Sequence, residues 1–324
     1  MYNDYKKIAL KLLILFIIVY ALVGCHRQKK PVENGDNAKI SVVTTIFAPY
    51  DFVRAIAAGK ADVAMLLPPG SESHSFEPTP QDIIKIKNCG VFIHIGGESD
   101  SWVSDVLGSM DVSDMKVITL MDCVDVVEEE IVEGMQEEED EDEKTDENPE
   151  YDEHIWTSPR NAKLIVQKIL DVLCETDTAN ADFYRQNAAA YIAELDELDA
   201  KFRNVVENAV RKTLVFGDRF PFRYFADAYG LEYFAAFAGC SKETEASAKT
   251  VAFLIDKVKN EKIPTVFHIE LSNKKMANVI SEATGANVRL LHSCHNVTKA
   301  EFEAKKTYVS LMTANVEVLK EALQ

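Results

Sequence analysis

Seven histidines are the side chains best suited to chemistry in this 324-residue chain, because a neutral imidazole nitrogen is a common protein ligand for transition-metal ions. His26 lies in a polar stretch near the N-terminus, which leaves His74, His94, His154, His268, His292 and His295. Four of these six fall in loops or at strand ends. His74 belongs to the run Pro69-Gly70-Ser71-Glu72-Ser73-His74-Ser75-Phe76-Glu77-Pro78, after a strand pattern and before a helix, where open α/β folds bind ligands. His154 holds the same kind of place, ahead of a helix opened by Pro159. His292 and His295 flank Cys294 directly after an apolar run ending at Leu291. Two imidazoles three residues apart at a strand's C-terminal end form a half-site.

His94 and His268 read differently, because each sits inside a continuous apolar run, Val91-Phe-Ile-His-Ile95 and Val266-Phe-His-Ile269. They are expected to be packed side chains. Glu270, two residues past His268 and so on the same side of the strand, is the better ligand candidate. Two or more imidazoles with one carboxylate favour zinc, with manganese, which prefers all-oxygen shells, as the alternative. The same donors could serve a zinc-dependent hydrolase, which would keep one position for an activated water. However, the sequence holds no His-Glu-x-x-His pair, no nucleophile elbow and no phosphate loop. Capture without turnover is therefore expected, and an adhesin or surface scaffold is a third reading.

The elements that must position these residues alternate strand and helix. Ile40 to Ile46, Ala61 to Leu67, Gly90 to Ile95 and Lys116 to Leu120 are predicted strands, with helices at Ala48 to Ala58, at Gln81 to Lys87 and from about Ser101. Such alternation implies a mostly parallel sheet flanked by helices. Helical spacing then runs from Pro159 to Leu173 and from about Asn180 to Ala209, the latter about 45 Å long at 1.5 Å per residue. Beyond it, Thr213 to Phe216, Glu232 to Phe234, Thr265 to Ile269 and Asn287 to Leu291 read as strands of a second lobe, with helices at about Ser247 to Asn260, Lys274 to Thr284 and Ser310 to Leu323. The expected fold is thus α/β, two lobes joined by one long helix: residues 39–178, the linking helix 179–210, and residues 211–324.

Lys6, Lys7 and Lys11, the apolar run Leu12 to Val23 and the sequence Leu22-Val23-Gly24-Cys25 read as a signal peptide over residues 1–24 with a lipoprotein box. Cys25 would take the lipid, residues 25–38 would be a tether, and the chain would be held extracytoplasmically at the cell membrane. The net charge of −18 is concentrated in Glu128 to Glu153, where 16 acidic residues stand against one Lys. The remainder is nearly neutral, so nucleic acid is not an expected partner. The acidic stretch has no period and reads as a mobile loop that would concentrate cations. Cys240 and Cys294 each follow an apolar strand in the second lobe, and in an oxidising compartment they are expected to pair.

The motifs Pro69-Gly-x-x-x-His74-x-Phe-Glu-Pro-Thr-Pro80, Asp152-x-His154-Ile-Trp-x-Ser-Pro159 and Tyr224-Phe-Ala-x-x-Tyr-Gly-Leu231 resemble those of the zinc/manganese-binding lipoproteins of metal-ion ABC transporters, over essentially everything from Lys39 onward. The resemblance implies two α/β lobes with one ion in the cleft, His74 and His154 as ligands, and delivery of the ion to a membrane permease. The pattern breaks at the family's third ligand, which falls at or next to Arg219, and a guanidinium does not ligate metal. The fourth falls near His292. Glu270, His292 and His295 are therefore the candidates to complete the site, with Asp218 in reserve.

Overall fold

A computed structural model of the chain describes residues 39–73, 76–135, 150–241 and 245–324. The expected signal peptide, Cys25, the tether, His74 and the middle of the acidic stretch lie outside the described residues. Among the described residues no helix is long and apolar enough to cross a membrane.

Two four-stranded parallel sheets form where the apolar runs predict them. The first contains β1 (Ile40–Thr44), β2 (Ala61–Met65), β3 (Val91–His94) and β4 (Lys116–Thr119) in the order β2-β1-β3-β4. The second contains β5 (Thr213–Arg219), β6 (Glu232–Phe237), β7 (Thr265–His268) and β8 (Asn287–Leu290) in the order β6-β5-β7-β8. Central strands covered by helices on both faces must be apolar on both, and β3 and β7 are buried along their whole lengths. In each sheet the chain leaves the first strand to one side and later returns to the other. That topological switch opens a crevice at the strand C-termini, between β1 and β3 and between β5 and β7.

The linking helix, Ala181–Glu207, is 27 residues long, about 40 Å at 1.5 Å per residue. It buries Tyr184, Ala188, Tyr191, Leu195, Leu198 and Phe202, the alternating four- and three-residue steps of one helical face. The final helix, Tyr308–Ala322, packs on this helix and on the first-lobe helix Phe47–Ala57, whereas the sequence placed it in the second lobe. Its first amide, from Tyr308, donates to Asp51 Oδ2 of that first-lobe helix at 2.7 Å. One continuous apolar core, including Val42, Trp156, Tyr191, Phe216 and Leu291, runs through both lobes and the linking helix. A smaller cluster lies under the far face of each sheet.

The acidic stretch is not one loop from end to end. Glu128 bridges antiparallel to Tyr151, the Glu129 amide donates to Glu150 O at 2.8 Å, and the Asp152 amide donates to Val127 O at 3.0 Å. Asp152 and Glu153, read from sequence as part of the solvated run, are each 1% exposed.

Candidate metal-binding cleft

The lobes meet around a cleft of about 70 Å³ lined by His154, Asp218, Arg219, Glu270 and His295, with Ser71, Glu72 and Ser73 from the first lobe along its edge. In the second lobe it opens at the switch point, since Asp218 and Arg219 are the last two residues of β5 and Glu270 follows β7.

His154 is fully buried and sits in a turn that Asp152 builds. Asp152 Oδ1 accepts the His154 amide at 2.7 Å and lies 3.2 Å from ring Nδ1. A carboxylate beside one ring nitrogen orients an imidazole that binds metal through the other. Burial alone would depress the pKa of this ring, yet it is raised, because the Asp152 carboxylate, with Glu153 and Glu129 behind it, outweighs the desolvation. Gly239 makes room: a Cβ there would lie 3.2 Å from His154 Cε1 and 2.9 Å from Phe220 O.

His295 comes from the other lobe. Its ring centroid is 5.4 Å from that of His154, with the planes at 76°, and Trp156 stands against both rings at 5.5 and 5.0 Å. Trp156 Nε1 donates to Ser293 O at 2.9 Å. His295 Nδ1 lies 3.3 Å from Ser73 Oγ, and the amide of Phe47 donates to His295 O at 3.0 Å. The loop bearing His295 is thus seated directly on the first lobe.

Glu270 faces the cleft, but its oxygens are engaged. It accepts from the Ser293 amide at 2.7 Å, from Ser293 Oγ at 2.6 Å and from the His295 amide at 3.1 Å. It therefore braces the loop of His295. Asp218 is similarly occupied by the amides of Arg219 at 2.9 Å and Ile269 at 3.3 Å. Burial raises its pKa.

His292 does not line the cleft. Its amide donates to Asn315 Oδ1 at 2.8 Å, and its Nδ1 accepts from the Cys294 amide at 3.0 Å, while Nε2 points towards Glu301 Oε2 at 3.8 Å. His94 and His268 are packed away, as their apolar runs imply. His94 stacks on Phe92 at 5.6 Å, and burial holds its pKa down to about 4.

The expected Cys240–Cys294 bond is absent, and both thiols are free and buried. Cys294 is enclosed in the core on the side of Tyr191 and Tyr308, whereas the Cys240 amide is held by Glu129 Oε1 at 2.9 Å. Burial pushes both thiols well above the ordinary range. The loop that carries Cys294 is held instead by Glu270, through Ser293 and the His295 amide. Asp152, Trp156 and Gly239 were not singled out from the sequence for their roles at the site, though Asp152 and Trp156 lie in the His154 motif. Among the described residues, no three His, Cys, Asp or Glu side chains converge as a complete metal site.

Similarity to known proteins agrees with this architecture. A family model described as the periplasmic component A of the zinc-uptake complex matches residues 42–322. Zinc-binding lipoprotein AdcA of Streptococcus pneumoniae (strain ATCC BAA-255 / R6) is 30% identical over 318 residues, covering 98% of this chain but only 61% of AdcA. The high-affinity zinc uptake system protein ZnuA of Bacillus subtilis (strain 168) is 28% identical over 95% of this chain and 94% of that protein. The crystal structure of the Zn(II)-bound ZnuA-like domain of S. pneumoniae AdcA matches with a TM-score of 0.72 at 28% identity, over 88% of this chain and 99% of that domain. The chain belongs to the ZnuA family, the periplasmic component A of zinc-uptake complexes.

Proposed function

We propose that the protein captures zinc in the interlobe cleft and delivers it to an ABC permease, working outside the cytoplasm from a lipid anchor at Cys25. The observation that carries the reading is the pair His154 and His295, one imidazole from each lobe in a shared cleft. Zinc binds imidazole nitrogen at about 2.0–2.1 Å, so two rings held tetrahedrally on one ion have centroids about 5 Å apart, close to the 5.4 Å between these two. His74 is the third ligand of the proposal, from the segment that follows Ser73 at the cleft edge. Glu270 and His292 act as supports for the His295 loop, and Asp218 stays bound to its amides. An imidazole-rich set favours zinc over manganese. The naming of relatives as zinc-uptake and zinc-binding proteins points the same way.

Binding is read by competition with a calibrated chelator. His154→Ala and His295→Ala should each weaken zinc by more than about 100-fold, beyond the usual cost of losing an orienting partner, with circular dichroism unchanged. Wild-type affinity in both variants would remove the assignment. Esterase and peptidase assays on the zinc-loaded protein should show no turnover.

A further inference from the structure

Arg219 lies in the cleft where the family pattern leads one to expect a ligand, and its guanidinium is only partly used. Nε donates to Ser241 O, and Nη1 reaches Glu72 Oε1 at 3.4 Å across the lobe boundary. Nη2 makes no hydrogen bond to any described residue, although the side chain is only 14% exposed. Of the three carboxylates lining the cleft, Glu72 meets Nη1, while both oxygens of Asp218 and both of Glu270 accept from backbone amides or Ser293 Oγ. The residues best able to touch an ion, His154 and His295, are imidazoles that bring no negative charge when neutral. A dication held by those imidazoles is repelled by the nearby guanidinium, and Asp218 and Glu270, though charged, present no unengaged oxygen to bind it.

We propose that the cleft takes zinc together with a small carboxylate-type anion, which coordinates the metal through one oxygen and accepts from the Nη2 edge of Arg219 through the other. The volume of about 70 Å³ exceeds the roughly 30 Å³ that one water occupies in the liquid, leaving room for such an anion beside the ion. Guanidinium donors match carboxylate geometry. Ser272 and Ser293 also border the cleft. Arg219 then determines specificity: it converts a cation site into a site for a metal–anion pair. By linkage, the anion raises zinc affinity by the same factor as zinc raises anion affinity.

The proposal rests on the metal-capture reading, and the test separates the two. The full chain is titrated with zinc, free zinc being set by a competing chelator, in nitrate buffer and in acetate buffer of equal ionic strength. Wild-type affinity should rise about tenfold in acetate. Arg219→Met should lose that response, and Arg219→Lys should keep only part of it because a point charge lacks the planar fork. Zinc binding that ignores acetate in the wild type overturns the proposal, as does an undiminished acetate response in Arg219→Met. The wild-type comparison alone decides if Arg219→Met does not fold. Failure to bind zinc in either buffer would defeat the metal-capture reading itself, and this proposal with it.

Discussion

Asp152 uses one oxygen for two purposes, closing the turn through the His154 amide and facing the ring at Nδ1. Asp152→Ala should therefore loosen the ring and the turn together. Outer carboxylate partners of metal-binding histidines are worth about 10–100-fold in affinity, and a loss of that size is expected by chelator competition. Asp152→Asn, which can still accept through its carbonyl oxygen, should recover part of it. Gly239→Ala tests the same ring from the other side, because the added methyl would press on His154 Cε1 and on the carbonyl of Phe220. Zinc affinity should fall while Arg219-dependent behaviour persists. At this scale the sequence was only partly legible. The place of His154 at the cleft was readable because its motif is local. The difference between His292 and His295 was not, since it depends on Asn315, 23 residues further on, and on Ser73, 222 residues earlier.

Among the elements, the strands were legible because a parallel sheet covered on both faces demands uninterrupted apolar runs. The seven-residue helix Arg223–Tyr229 was not assigned, being too short to display a helical period. Nor could composition reveal that the ends of the acidic stretch pair through Glu128 and Tyr151. Removing residues 137–148 should consequently spare His154 and slow only capture, since a run of carboxylates steers cations over about 10 Å at 0.1 M salt. Stopped-flow association at low ionic strength should be slower for the shortened protein, with equal equilibrium affinity; equal rates would leave the stretch without a role in steering. Asp51 joins the helix Phe47–Ala57 to the final helix and is 2% exposed. Burial raises its pKa from 3.8 to about 6. The folded form therefore holds the proton more tightly than the unfolded chain, and the stability Asp51 contributes falls as pH rises from 3.8 towards 6. Relative to wild type, Asp51→Asn should gain up to about 3 kcal/mol across that window and nothing further above it, as urea unfolding at successive pH values would show.

For the molecule as a whole, the contacts from Trp156 to Ser293 and from Phe47 to His295 tie the lobes at the cleft itself. Zinc should then act on a largely preformed frame, and small-angle scattering of the metal-free and zinc-loaded protein should agree to within about 1 Å in radius of gyration, the scale of backbone change in preorganised complexes. A change of several ångströms would instead require a hinge. The core that passes through both lobes without a break also has a meaning for cooperativity. Residues such as Phe216 and Leu291 complete the same apolar interior as Val42 and Trp156, so neither lobe owns a full interior of its own. Calorimetry should record one transition with equal calorimetric and van't Hoff enthalpies. Halves expressed separately, cut within the linking helix, should expose the seam, bind ANS and aggregate, regaining structure only when the two are refolded together.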